Sequence, residues 1–202
     1  MSEVIELEQY RWRAAPPVVF VDMFQDQLKD EEGLGARELG PVIAKCRHLL
    51  VEARARHWPV AFVRPPRTMP APRGRGPRWI EGFEPRRTDM VFDRTGPSCY
   101  SSEEFADAMD GAGRVFVLAG FSVESACLAT LIDAAQNNHF VGLVRDASAT
   151  RPLPGHDATQ SHEAVVTVAS RFGTIVTADH WIDVAAGTAE SPQPRSNVSS
   201  IR

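Results

Sequence analysis

The sequence predicts an α/β protein: a three-layer sandwich with helices on both faces of a mostly parallel sheet of about six strands. Two observations carry that prediction. Short runs such as PVVFV and RVFVLAGF are apolar at consecutive positions, as strands buried on both faces must be. Between them lie segments of helical periodicity long enough to cross back over a sheet, and right-handed crossovers then make the strands parallel. With 202 residues and 43% hydrophobic side chains the chain can bury one sizeable core. Residues 1–184 are therefore assigned to a single domain and 185–202 to a polar tail.

PVVFVDMF, from Pro17, reads as the first strand and ends on an acid, Asp22. In PVIAKCRHLLVEARARHW, Pro41 suits a first-turn position, and Val42, Cys46, Leu49 and Ala53 share one helical face. Pro59 to Val63 reads as a second buried strand, stopped by two prolines. Arg64 to Thr88 is too rich in Pro and Gly for a regular element and long for a loop in a compact domain, a length at which loops often serve function. DMVFDR is then a strand, SSEEFADAMDGAG a helix capped by Ser102 with Gly111 near its end, RVFVLAGF a strand, ESACLATLIDAAQNN a helix and HFVGLVRDA a strand. HDATQSHEAVVTVASRFG reads as a helix and GTIVTADHW as a last strand, while AAGTAESPQPRSNVSSIR is polar and predicts no element. The result is a Rossmann-like sheet, whose ligand crevice lies beyond the carboxyl ends of the strands. Asp22, Arg94, the FSVES loop and Asp146 all fall there.

A net charge of −4 gives no global attraction to polyanions, which argues against nucleic acid as a partner. No stretch approaches the roughly 20 apolar residues of a membrane span. Cys46, Cys99 and Cys127 form no spaced framework, and MSEVIELEQYRWRAAPP lacks the apolar run of a signal peptide. A reduced, cytoplasmic protein without a membrane partner is expected.

An acid ending strand one, a basic residue before a small-residue segment (FDRTGPSCYSSEEF), a Gly-started loop into a helix close to C-x-x-x-T-x-x-D-A, and LVRDA ending the next strand occur in that order. Together, over roughly residues 17–182, they resemble the isochorismatase-like hydrolase superfamily. The resemblance implies an Asp, Lys and Cys triad with no cofactor, here Asp22 as proton relay, Arg94 as charge support and Cys127 as nucleophile. It also implies a cis peptide at Phe121–Ser122 or Ser122–Val123, with Phe121, Ser122, Val123 and Ala126 around the oxyanion. Family members pair, so a homodimer or higher homo-oligomer is implied as well.

The chain departs from the family pattern twice. Arg94 stands at the lysine position, and the only lysines, Lys29 and Lys45, belong to the first connection and first helix. Arginine keeps the positive charge but cannot shuttle a proton, which leaves the proton work to Asp22. The family's cysteine usually follows the glycine by six residues. Counting from Gly120 gives Ala126, with Thr130 and Ala134 in register, and Cys127 is one position late. An extra residue in the FSVES loop would restore Cys127 as nucleophile.

The segment after the second strand lacks the histidines of the family's metal-binding nicotinamidases, so no metal is expected. Its arginines lie around Trp79 and Phe83, an arrangement that fits either a solvated basic loop or subunit contact, or a pocket for a small, carboxylate-bearing, ring-containing substrate. Tyr100, beside Ser98 and Cys99, is placed on the same pocket wall. His156 and His162 are lesser candidates near the crevice. Three functions fit the residues: hydrolysis of a C–N bond of a small amide or ureido compound through the Cys127 thiolate, non-covalent hydrolysis of a vinyl ether with Asp22 as acid, or binding without turnover.

Overall fold

The computed structural model describes residues 15–28, 36–65 and 78–187. In chain order the elements are β1 (Val18–Val21), α1 (Ala36–Ala55), β2 (Val60–Arg64), β3 (Met90–Asp93), α2 (Glu103–Gly111), β4 (Val115–Phe121), α3 (Leu128–Gln136), β5 (Phe140–Ala149), α4 (Ala158–Ala169), β6 (Thr174–Val176) and α5 (Ala178–Ala185). The strands form one parallel sheet in the order β3-β2-β1-β4-β5-β6. The chain moves outward from β1 to β3, returns beside β1 and moves outward again from β4. That reversal puts the topological switch point between β1 and β4, where such sheets open a crevice at their carboxyl ends.

The predicted three layers are present. Val18 and Phe20 of β1 belong to the core under α1 and α5, with Cys46, Leu49 and Trp181. Val19 and Val21 face the opposite core with Phe105, Leu131 and Val165 of α2, α3 and α4. Both faces of β1 are therefore dry, which explains the consecutive apolar run. At ~1.5–3 kcal/mol for each fully buried large apolar side chain, these two cores dominate the stabilisation.

Several elements differ from the sequence expectations. Helix α1 begins at Ala36, so Pro41 lies inside it. The fully buried Leu39 sits in this preceding turn and gives it a reason to stay helical. Ile80 and Phe83, expected in an open loop, are core residues, and Phe83 packs edge-on against Phe20; residues 66–77 of that loop lie outside the described residues. Strand β5 runs on to Ala149, and its pairing with β4 slips from Leu118↔Leu143 to Gly120↔Ser148. The last strand ends at Val176, because Thr177 caps α5 by accepting the amide of His180 (3.3 Å). Trp181 is thus a buried helical residue. The expected tail lies outside the described residues from 188 onward. Among the described residues, no helix is long and apolar enough to cross a membrane.

Candidate active site

The site is built at the switch point. Gly120 has φ +109°, and a Cβ there would sit 2.2 Å from the Val21 carbonyl oxygen, so only glycine lets β4 pass β1 this closely. Immediately after β1 the chain turns out of the sheet at Asp22, which has φ 52°. Its amide donates to the Val63 carbonyl (3.1 Å), and its carbonyl accepts the Phe24 amide (2.8 Å). This left-handed backbone, uncommon for a residue other than glycine, takes the side chain out of the strand's alternation.

The Asp22 carboxylate meets Arg94, whose Nη2 donates to Oδ2. Arg94 Nη1 donates to the carbonyls of Gly96 (2.6 Å) and Pro97 (3.1 Å), so the guanidinium is gripped from both ends. Asp22 and Arg94 are 4% and 8% exposed. Among the described residues, Asp22 Oδ1 has no hydrogen-bond partner. Burial raises the Asp22 carboxyl to about 6, and the opposing attraction of Arg94, helped by Arg151, does not bring it back. Desolvation thus outweighs the permanent cation, whose pairing taken alone would favour the ionised carboxylate.

Phe121–Ser122 is a cis peptide. The Ser122 carbonyl then accepts the amides of Ser125 (3.3 Å) and Cys127 (3.2 Å), the second of which spans five residues and forms a single π-turn over Val123–Cys127. A π-turn holds one more residue than an α-turn. It brings Ala126 and Cys127 into the same buried layer, at 1% and 0% exposure. The Cys127 amide is occupied by Ser122, which removes it as a ready oxyanion donor.

Burial pushes the Cys127 thiol well above its ordinary value; Cys99, Asp22 and Glu124 add to the shift and Arg94 opposes it. The sulfur therefore lies within the fields of both Asp22 and Arg94. Among the described residues, no hydrogen bond joins it to either. The Cys99 thiol is pushed up to about 12 by burial. At neutral pH both cysteines are neutral thiols, a poor starting point for nucleophilic attack.

The other sequence-predicted residues are distributed unevenly. Phe121 and Val123 are buried in opposite cores, which leaves their backbone rather than their side chains for a ligand. Trp79 stacks on Phe24 (ring centroids 4.2 Å apart) and meets Phe62 edge-on, packing against the core under α1 and not standing free as a platform. The Tyr100 hydroxyl bonds His139 Nδ1 (2.6 Å), and His139 Nε2 bonds Asp110 (3.0 Å) at the end of α2. Because His139 directly precedes β5, Tyr100 reaches toward the amino edge of the sheet and away from Asp22. Asp146 accepts the Ala178 amide (2.8 Å) and anchors α5. His162 Nε2 donates to the Arg145 carbonyl (3.0 Å), so its Nδ1 accepts from Thr150 (3.1 Å); burial lowers its pKa, which keeps it neutral. Glu124, which sequence reasoning passed over, accepts the Arg151 amide (3.3 Å) and joins α3's entry to the end of β5. No distinctive spacing announces that contact.

The sequence profile of the isochorismatase domain matches residues 17–180. No curated protein sequence matches the chain. Similar solved structures include an isochorismatase from Pseudomonas putida KT2440 (22% identity, TM-score 0.70, covering 85% of this chain and 93% of that one). A cysteine hydrolase from Pseudomonas syringae pv. phaseolicola 1448A has 18% identity and TM-score 0.75, with 89% and 97% covered. An isochorismatase-like hydrolase from Alkaliphilus metalliredigens has 19% identity and TM-score 0.71, with 84% and 98% covered.

Proposed function

The chain belongs to the isochorismatase-domain family of hydrolases, and from that premise we propose that it hydrolyses a small, carboxylate-bearing vinyl ether without a covalent intermediate, using Asp22 as general acid. One observation carries this reading. Asp22 is held near pH 6 with Oδ2 bound to Arg94 and Oδ1 free among the described residues. A group with a midpoint close to working pH is an efficient proton donor.

The chemistry follows from that geometry. Oδ1 delivers its proton to the terminal vinyl carbon, leaving an oxocarbenium ion at the ether carbon. Arg94 steadies the carboxylate left behind without competing for its proton, since a guanidinium does not deprotonate. Water adds to the cation and returns a proton to Asp22. The resulting hemiketal then collapses to an alcohol and a ketone. Cys127 takes no covalent part, in keeping with its burial and its raised pKa.

A second reading, thiolate attack on a C–N bond, is favoured by one observation: Cys127 lies within the fields of Asp22 and Arg94, and a carboxylate with a midpoint near 6 can also accept a thiol proton. Turnover of vinyl ethers, amides and ureas by the wild type and Cys127→Ala separates the two. The first reading expects vinyl-ether hydrolysis that stays within about threefold in Cys127→Ala and declines above pH ~6. Amide turnover lost in a folded Cys127→Ala, together with rapid iodoacetamide labelling of Cys127 in the wild type, would replace it with the second.

A further inference from the structure

We infer that Thr130 is a positioning residue for the Asp22–Arg94 pair: its hydroxyl fastens the loop that grips Arg94 to the first turn of α3, and so sets how the guanidinium meets the carboxylate. The inference rests on the reading that this pair performs the proton transfer.

Thr130 is fully buried, and its hydroxyl is used in both directions. It donates to the Ala126 carbonyl one turn back (2.7 Å) and accepts the backbone amide of Cys99 (2.9 Å). The Cys99 end of that bridge belongs to a loop that is otherwise closed on itself. The amides of Thr95 and Gly96 donate to Ser101 Oγ (3.1 and 2.8 Å), and Ser101 Oγ donates to the Ser98 carbonyl (2.7 Å). Ser98 Oγ in turn accepts the Tyr100 amide (3.1 Å). This ring of bonds presents the Gly96 and Pro97 carbonyls to Arg94 Nη1. A continuous path of hydrogen bonds and short covalent links therefore runs from the Ala126 carbonyl through Thr130, the Cys99 amide and the Gly96–Pro97 carbonyls to Arg94 and Asp22.

A side chain at 130 without a hydroxyl leaves the Cys99 amide, buried in this layer, with nothing to bond, and the loop can relieve that only by shifting. Its carbonyls move with it, and Arg94 follows. Because Arg94 is the main group holding the Asp22 midpoint down, a looser Arg94 moves that midpoint up. Valine matches threonine in shape and lacks the hydroxyl; serine keeps the hydroxyl and loses only a methyl group.

The test compares wild type, Thr130→Val and Thr130→Ser by ¹³C NMR titration of the Asp22 carboxyl, alongside kcat and KM for a vinyl ether. Thr130→Val is expected to raise the Asp22 midpoint and to lower kcat by roughly 10- to 100-fold with KM little changed, the scale of a displaced reacting group. Thr130→Ser is expected to restore both. A wild-type midpoint and kcat in folded Thr130→Val, or a Thr130→Ser variant no better than Thr130→Val, would overturn the inference. If Thr130→Val does not fold, hydrogen exchange on the wild type decides: the Cys99 amide is expected to be protected like the core strands, and exchange at the rate of a loop amide overturns the bridge. Failure of the proposed reaction itself reads differently, as a wild type inactive on vinyl ethers whose Asp22 midpoint still moves in Thr130→Val.

Discussion

Asp93 and Arg94 are neighbours at the end of β3, and each makes an ion pair, but solvent gives the two pairs different roles. Arg64 of the adjacent strand donates to both Asp93 carboxylate oxygens, from Nε to Oδ1 and from Nη2 to Oδ2 (2.5 Å), with the Arg64 and Asp93 side chains 37% and 54% exposed. Arg94 turns inward to Asp22, where the two side chains are 7% and 6% exposed. In water the first pair gives up little and gains little, a contribution of ~0–1 kcal/mol. The second has lost its hydration, so its attraction is largely offset by desolvation, and its significance lies in what breaking it would expose. The buried pair is also where a carboxyl acquires a midpoint near neutrality. At Asp22, desolvation by burial and not the presence of its partner makes the carboxyl a candidate proton donor.

Removing the guanidiniums one at a time breaks that comparison most sharply. Arg94→Ala leaves a buried carboxyl without its counter-charge and is expected to cost ~3–5 kcal/mol in chemical denaturation while raising the Asp22 midpoint. If Arg94→Ala proves as mild as a surface change, the buried pair is not special. The pH dependence of stability comes next in size. Asp22 titrates at about 6 in the folded chain against an ordinary 3.8, so the folded state binds its proton more tightly than the unfolded state does. Stability from this group therefore rises as pH falls through 6 toward 4, and ionisation above 6 costs. Between pH 7.5 and 4.5 the wild type is expected to gain roughly 2 kcal/mol relative to Asp22→Asn, at 1.36 kcal/mol per unit. An unchanged difference between the two proteins would mean that burial does not perturb Asp22. Smallest of all, Arg64→Ala is expected to change stability by less than about 1 kcal/mol, and less still in high salt.

The α/β architecture and the switch-point location were legible because they depend on patterns the chain repeats: consecutive apolar runs for strands buried on both faces, and helical periodicity between them. The misreadings have local causes. Pro41 looks like a first-turn residue until Leu39, one buried side chain in the turn before it, extends the helix. Trp181 follows a β-rich run and reads as its continuation, whereas the Thr177 cap turns the chain into α5 before it. The core role of Phe83 is hidden by a Pro- and Gly-rich flank that resembles open loop.

At the site, Asp22 and Arg94 could be paired from strand ends and family order, but the outcome of their pairing could not. Whether desolvation or the cation wins depends on exposures of 4% and 8%, which no spacing reveals. The ambiguity at Ala126 and Cys127 has a structural origin in the π-turn, since one extra residue inside a helix start looks the same in sequence as a one-residue shift. Thr130 was visible as a motif residue. Its link to Cys99 crosses 31 positions and is visible only in the fold.

Burial makes Asp22 an acid despite Arg94. A ¹³C NMR titration of the Asp22 carboxyl in the unliganded wild type tests it without requiring a substrate. A midpoint near 6 is expected; a carboxyl still fully ionised at pH 4.5 would mean that Arg94 prevails over burial.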